Sequence, residues 1–515
     1  MSREARPTPA NAGARSFGQR ALDAIESVGN RLPDPVTIFA GLAVLALIAS
    51  ALAAAAGLNV AHPVSGEIIA AVNLLSRDGV QRILTGLVDN FTGFAPLGLV
   101  LTAMIGIGVA ERSGLFAAVL RGLLLVMPPR ALTPLVILLG MLSHTAADGG
   151  YVILVPLAPM LYAAVGRHPL AGIAAVFAGI GGGFSANLLL SPIDPMLAGI
   201  TQESARFLDA GYTVVATANY FFMASSVILL TVIGTLVSVR VVEPRFGEWR
   251  SNDTSFAPEA LCPAERRGMW AALVSLLVIL ALIASMVIPP WGPLRDPQTG
   301  SLAPFHQSIV GLLLVVFLVP GVAFGVASGR IRSDRDAARM MGETMSTMGS
   351  YIVMAFFAGQ FIAFFRWSQL GTIVAIEGAA VLRSIGLTGP VLLIAFVLVT
   401  AAINMCMASA SAKWAIMAPV FVPMFMALGW SPETTQAFYR VGDSVTNVVT
   451  PLNYYFPIII AVAQRYVPRV GLGTLISAML PYSVAFTLAW TALIVAWVMI
   501  GLPLGPGAPL TYRAG

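Results

Sequence analysis

The sequence contains few charged residues. Asp, Glu, Lys and Arg together make up 10% of its 515 residues, whereas 57% are hydrophobic and the mean hydropathy is +0.85. A soluble globular domain carries about 25% charged residues. The composition therefore excludes an ordinary soluble enzyme or binding domain, and it predicts an all-α polytopic protein of the lipid bilayer.

Cysteine and histidine are also scarce. The two cysteines, Cys262 and Cys406, lie far apart, and the histidines are scattered at positions 62, 144, 168 and 306. Because the sequence has no CxxC, Cys/His cluster or HExxH motif, it indicates neither a disulfide framework nor a zinc site. We expect no enzyme activity and no bound cofactor. A membrane enzyme and a passive channel remain as alternative classes.

The excess positive charge follows the pattern of a membrane topology signal. Most of the net charge of +5 comes from arginines in short loops, and arginine-rich loops stay in the cytoplasm. This predicts cytoplasmic positions for 240–267 and 330–339 and an external position for 289–308. The N-terminus has no cleavable signal pattern and is also expected in the cytoplasm. Nothing in the pattern indicates nucleic-acid binding.

Apolar segments and loops divide the chain into seven regions. The predicted spans are 36–57, a segment ending near Glu111 and Arg112, 213–239, 269–288, 309–326 and 472–500, while 115–127 and 131–142 are too short to cross upright. The regions are a cytoplasmic N-terminal segment with an amphipathic helix at 21–35 (1–35), first-half scaffold and dimerisation helices (36–142), a first re-entrant hairpin and broken helix (143–212), a span and cytoplasmic loop (213–268), second-half scaffold helices (269–403), a second re-entrant hairpin and broken helix (404–460), and a last span with the C-terminus (461–515).

The second half of the chain repeats features of the first. A separation of 263 positions relates Pro156 to Pro419, Pro169 to Pro432 and Tyr151 to Trp414. Farther on, each half has an Asn followed by Ser-Pro or Thr-Pro. Paired segments interrupted by Gly and Pro are typical of transporters built from repeats. Loop orientation favours an inverted repeat with two re-entrant helical hairpins and broken helices.

Polar side chains gather where the two halves correspond. At membrane depth such groups are costly unless they face a partner, a cavity or an ion. The second half supplies Asn404, Ser409, Ser411, Lys413, Arg440, Asp443, Ser444, Thr446, Asn447 and Thr450, and the first half supplies Ser143, Thr145 and Asn187, with His144 and Asp148 as either proton carriers or satisfied tip residues. We therefore predict a solute and ion site, with Ser143, Asn187 and Asn447 among its residues.

The residue types suit an anionic solute and a hard cation. Hairpin tips and broken helices expose helix ends. Backbone amides at an N-terminal end can face an anion, and free carbonyls at a C-terminal end can coordinate a cation. Asp443 and Asn404 offer a carboxylate and an amide oxygen that suit Na⁺. Arg440, three residues before Asp443, is expected to pair with Asp443 or with a substrate carboxylate. Lys413 beside Trp414 would suit an aromatic or anionic solute.

Structural alternatives stay open for each of these residues. Asp443 and Arg440 would then form an ion pair that holds a broken helix. Trp414 would be a packed or interfacial aromatic, and Lys413 would extend to the headgroups. The Gly-rich run 179–183 is expected to be a close-packing helix face, because no Lys-Ser or Lys-Thr follows it.

Residues 409–452, SASAKWAIMAPVFVPMFMALGWSPETTQAFYRVGDSVTNVVTPL, closely resemble the AbgT family of p-aminobenzoyl-glutamate transporters. SHTAADGGYVILVPLAP in the first half, ERSGLF at 111–116 and VGNRLPDP at 28–35 resemble it too. The resemblance implies a bowl-shaped homodimer of the ion-transporter superfamily. Each subunit would have about nine membrane-spanning helices and two re-entrant hairpins.

The resemblance also implies a function and a set of site residues. Substrates would be p-aminobenzoyl-glutamate and similar folate breakdown products, carried across the bacterial inner membrane with a Na⁺ or H⁺ gradient. The alternative is proton-driven export of sulfonamide antimetabolites. Asn404 and Asp443 would match the sodium-associated positions, and Ser411, Trp414, Pro432, Arg440, Asp443 and Pro451 would match those that line the transport pathway.

Overall fold

The structure is a computed structural model that describes residues 33–61, 67–125, 128–146, 149–247, 249, 260–407 and 409–513. The amphipathic helix predicted at 21–35 lies almost wholly outside these residues, as does Asp148. Within them, nine helical runs are long and apolar enough to cross a membrane. The all-α prediction is correct except for a short antiparallel hairpin, β1 (Asn59–Ala61) with β2 (Ile68–Ala70), in the loop after the first span.

The described residues of the first half form ten helices, and local sequence signals fix several of their ends. Asp34 caps the first helix through a 2.8 Å bond from the Val36 amide, and Pro35 occupies its first position. The helices are α1 (Pro35–Ala55), α2 (Arg77–Thr92), α3 (Ala95–Arg112), α4 (Leu115–Leu125), α5 (Leu132–Leu142), α6 (Gly149–Ala164), α7 (Pro169–Phe177), α8 (Ile193–Ala205), α9 (Tyr220–Val237) and α10 (Glu243–Phe246). Short 3₁₀ turns lie at Pro129–Ala131 and Ser143–Ala146, and π-helical turns at Ala178–Gly182 and Ser238–Val242.

Ten helices also lie in the part of the second half that the structure describes. They are α11 (Pro263–Val287), α12 (Ala303–Ser328), α13 (Asp334–Thr347), α14 (Gly349–Trp367), α15 (Leu370–Ser384), α16 (Gly389–Cys406), α17 (Ala410–Ala427), α18 (Pro432–Val445), α19 (Phe456–Gln464) and α20 (Leu472–Ile500). Helix α20 has the bounds predicted for the last span. The short segments predicted at 115–127 and 131–142 are α4 and α5, of 11 residues each.

The two halves place their polar segments at corresponding points. In the first half the order is α5, polar tip, α6, tight turn, α7, break, α8, and in the second it is α16, polar tip, α17, tight turn, α18, break, α19. Pro169 and Pro432 begin α7 and α18, each after a residue whose side chain caps the helix. The structure therefore has the same succession of elements in both halves, as the repeated prolines predict.

The Gly-rich run in the first break packs tightly against α5. Gly179 and Gly140 are both buried, and a Cβ on Gly179 would lie 2.3 Å from the carbonyl oxygen of Ile137 and 3.1 Å from the Cα of Gly140. Backbone atoms cannot turn aside as a flexible side chain does. The glycines therefore allow close contact between two backbones, which agrees with the packing role expected for 179–183.

Replacing Gly179 with Ala will destabilise the protein by about 1–3 kcal/mol, because the added methyl group overpacks this contact. The matched control is Gly41→Ala in α1, where a Cβ meets no atom within 4 Å. We expect thermal unfolding of the detergent-solubilised protein to shift downward for Gly179→Ala only. Equal melting temperatures for the two variants would contradict the packing account.

Candidate solute and ion site

A cavity of about 380 Å³ lies where the tips and breaks of the two halves meet. Both halves contribute polar and aromatic side chains, and the scaffold helices contribute apolar ones. The lining residues are His144, Tyr151, Phe184, Ser191, Pro192, Ile193 and Met196 from the first half, Ser409, Ala410, Ser411, Asn447, Thr450, Asn453, Tyr454 and Tyr455 from the second, and Val100, Met104 and Met348 from the scaffold.

The cavity has an aromatic wall and receives the N-terminal ends of two helices. The rings of Tyr151 and Tyr455 stack with centroids 3.6 Å apart and planes 12° apart. Helix α17 begins at the cavity behind its N-cap Ser409, and α8 begins there at Ile193. Helix N-termini carry partial positive charge. Because none of the described lining residues is Arg, Lys, Asp or Glu, these helix ends supply the positive potential at the cavity wall.

Asp443 lies behind the cavity wall, bonded to Lys413. The Lys413 ammonium donates to Asp443 Oδ1 at 2.6 Å and also contacts Asn404 Oδ1, and the two charged side chains are 0% and 2% exposed. The Asn404 amide nitrogen donates to Thr446 Oγ1 at 2.9 Å and to Asn447 Oδ1 at 2.8 Å. The lysine therefore does not extend to the headgroups. It joins the two residues predicted as sodium ligands, and Asn447 connects them to the cavity.

Of the two partners expected for Arg440, Asp443 is wrong, and a substrate carboxylate stays a prediction. Arg440 Nη2 donates to Asp194 Oδ1 at 2.5 Å, and both side chains are buried. Asp194 Oδ2 accepts from the amide of Ser191 at 2.6 Å and from its hydroxyl at 3.0 Å. Lys413 already satisfies Asp443, and the long arginine side chain reaches the first turn of α8. The resulting ion pair joins the two halves of the protein.

Trp414 is fully buried beside the cavity and does not line it. Its indole nitrogen donates to Thr201 Oγ1 at 2.9 Å, and its ring lies 4.3 Å from that of Tyr439. The Tyr439 hydroxyl donates to the carbonyl oxygen of Ala410 at 2.5 Å, next to Ser411 in the lining. Trp414 therefore supports the N-terminus of α17 through its contact with Tyr439.

The remaining predicted site residues occupy different positions. Ser411 and Asn447 line the cavity. Ser143 donates to the carbonyl oxygen of Gly140, and Asn187 donates to Ser191 at 3.4 Å, so both lie in the first tip and break without lining the cavity. Pro451 lies in the second break. Pro432 begins α18, about 16 Å along the helix from Asp443 at 1.5 Å per residue.

Sequence reasoning missed Asp194 as a site residue. A signal was present, because Asp194 follows Ser191-Pro192 as Asn453 follows Thr450-Pro451. Extending the repeat by two residues would have paired these two positions, of which Asn453 lines the cavity. The stacked tyrosines were missed because nothing in either local pattern indicates that they meet.

Two halves with the same order of tips and breaks, meeting at a cavity of aromatic, apolar and polar side chains inside an apolar helical body, define a membrane transporter. The chain belongs to the AbgT family. The family described as "AbgT putative transporter family" matches residues 20–512, which confirms the resemblance in the second-half motif.

Relatives of known function and structure align over nearly the whole chain. The p-aminobenzoyl-glutamate transport protein of Escherichia coli (strain K12) is 38% identical over 485 residues, which cover 94% of this chain and 95% of the relative. The crystal structure of the Alcanivorax borkumensis YdaH transporter has a TM-score of 0.88 and 44% identity, covering 92% of this chain and 100% of that one. Neisseria gonorrhoeae MtrF, described among antimetabolite efflux pumps, has a TM-score of 0.90 and 46% identity, with coverages of 95% and 100%.

Proposed function

We propose that this protein carries p-aminobenzoyl-glutamate and similar aromatic carboxylates across the bacterial inner membrane. The observation that supports this most is the cavity between the halves, with its stacked tyrosines and two helix N-termini. Its volume of about 380 Å³ falls within the range of small-molecule sites, about 300–1,000 Å³. An aromatic ring would pack beside Tyr151 and Tyr455, and a carboxylate would face the start of α8 or α17. The E. coli relative's name indicates the same substrate.

We infer a secondary active mechanism, coupled to a Na⁺ or H⁺ gradient, and not catalysis or passive flux. The tips at the ends of α5 and α16 would be the turns of two re-entrant hairpins in inverted repeats. One repeat would move against a homodimeric scaffold, with the N-terminus in the cytoplasm. The Asp194–Arg440 pair crosses between the halves, so relative motion of the halves would strain or break it. The molecular mass of the purified protein in detergent tests the dimer.

Export of sulfonamide antimetabolites is the second candidate function. The observation that favours it is the 46% identity with MtrF, whose description is an antimetabolite efflux pump. Sulfonamides share an aromatic ring and a polar group with aminobenzoyl compounds. Cells that express the protein will accumulate less sulfonamide than cells that lack it if this function holds. Equal accumulation in the two kinds of cell would exclude sulfonamide export as the function.

Uptake of radiolabelled p-aminobenzoyl-glutamate into proteoliposomes tests the first function. Sodium and proton gradients are imposed separately in both directions. We expect one gradient to drive uptake. Gradient-independent flux would instead indicate a channel, and absence of uptake under every gradient would require a different substrate.

Two variants test the cavity in the same assay. Ser411→Ala and Asn447→Ala will each lower uptake about 2-fold to 10-fold, since each removes one polar contact worth about 0.5–1.5 kcal/mol. The control is Ser285→Ala in α11, where an exposed serine bonds only to its own helix. Unchanged uptake in both cavity variants would place the substrate elsewhere.

A further inference from the structure

Lys413 is the one lysine in the chain. Of the 29 basic residues, 28 are arginine, and among the described ones Arg440 forms the buried pair with Asp194. Lys413 lies with a 0% exposed side chain on Asp443. A lysine ammonium is a compact point charge, whereas a guanidinium is a wide planar fork. The chain therefore places its more compact cation between Asn404 and Asp443.

The ammonium occupies the place that a sodium ion would take between Asn404 and Asp443. It lies 2.6 Å from one carboxylate oxygen and in contact with one neutral amide oxygen, the oxygen types that a hard cation prefers. The Asn404 nitrogen is committed to Thr446 and Asn447, so its oxygen is directed to Lys413. Both of the predicted sodium ligands are therefore satisfied by a cation that belongs to the chain.

A second cation would have to share this site with the ammonium. Two unit positive charges about 4 Å apart, at an effective dielectric constant of about 20, repel enough to weaken binding about a thousandfold. The carboxylate would also have to exchange one cation for the other. Sodium and the Lys413 ammonium are therefore alternatives at these oxygens.

We propose that the Lys413 ammonium is the built-in cation of the site and that it excludes sodium from the Asn404–Asp443 pair. The residues predicted as sodium ligands do not fit a sodium ion in the wild-type chain, and loss of the amine opens a sodium site there. The exclusion of sodium from this pair does not depend on the proposed function. Its consequence for transport does rest on that function: if a sodium gradient drives transport, the ion acts at another site.

Sodium binding to the purified protein in detergent, without substrate, tests the inference. Radioactive sodium is titrated against wild type, Lys413→Met and the neutral double variant Lys413→Met/Asp443→Asn, with choline chloride to hold ionic strength constant. Methionine keeps an unbranched side chain that is one atom shorter than lysine, and it removes the charge. We expect Lys413→Met to bind sodium at least about tenfold more tightly than the other two proteins. Thermal unfolding of the same variant will shift upward with sodium and not with choline.

Two results would overturn the inference. One is sodium binding to the wild type that is lost in the double variant Lys413→Met/Asp443→Asn. The other is a folded Lys413→Met that binds sodium no better than wild type. If Lys413→Met folds only when sodium is supplied, that requirement supports the inference. If this variant fails to fold in either salt, sodium binding to the wild type decides whether the inference holds. Since the assay contains no substrate, a failure of the proposed transport function leaves its outcome unchanged.

Discussion

Replacement of Asp194 with Ala abolishes transport and destabilises the protein by about 3–5 kcal/mol, because it leaves the buried Arg440 guanidinium without its carboxylate. The pair is 1% and 5% exposed, and its two residues come from different halves of the chain. Transport in proteoliposomes and thermal unfolding in detergent measure the two effects. The expected losses are of this size because a buried charge cannot be solvated when its partner is removed.

Two further variants separate stability from transport at this pair. The apolar double variant Asp194→Leu/Arg440→Met will recover most of the stability and none of the transport, because it removes both charges. The control is Arg339→Ala, whose pair with Asp336 is 64% exposed on the arginine side and should contribute about 0–1 kcal/mol. If Asp194→Ala unfolds at the wild-type temperature, Asp194 does not hold Arg440 as described.

The second large effect is expected at Asp443. Asp443→Ala will abolish transport and destabilise the protein by about 3–5 kcal/mol, since Lys413 would keep its charge in a buried position with no carboxylate beside it. The neutral pair Lys413→Met/Asp443→Asn will fold more stably than Asp443→Ala and will still not transport. The coupling energy of the pair comes from a cycle of wild type, Lys413→Met, Asp443→Asn and the double variant.

Full transport activity in Asp443→Ala would remove Asp443 from the mechanism. A stable Asp443→Ala without activity would show instead that the carboxylate acts in transport and contributes little to folding. The thermal measurement must therefore accompany the transport assay for each variant.

The sequence predicted most spans because hydropathy and loop charge act over about 20 residues. Helix α20 matches its prediction, and α3 ends at Arg112 as expected. The span expected from Thr213 begins only at Tyr220. The intervening residues carry no charge but are irregular, and a side chain completes part of their backbone bonding, as Gln202 does for the Val214 amide. Hydropathy cannot distinguish such a packed coil from a helix.

The location of the candidate site could be predicted from the sequence, but only some of the contacts between its residues could be. Repeated Pro and Asn positions marked the tips and breaks that enclose the cavity, and Asn404 and Asp443 share a contact with Lys413. The partner of Arg440 was not predictable from helical spacing, because Asp194 is 246 positions away in the sequence. Spacing along one helix describes neighbours on that helix, whereas this pair depends on how the halves pack.

The central claim is that the cavity between the halves binds and carries an aromatic carboxylate, whichever ion drives it. Counterflow tests this most directly. Proteoliposomes are loaded with unlabelled p-aminobenzoyl-glutamate, diluted into a trace of the labelled compound, and given no ion gradient. We predict transient accumulation of label that is lost in Asp194→Ala and retained in Ser285→Ala. Failure of the folded wild-type protein to exchange the label would contradict the claim.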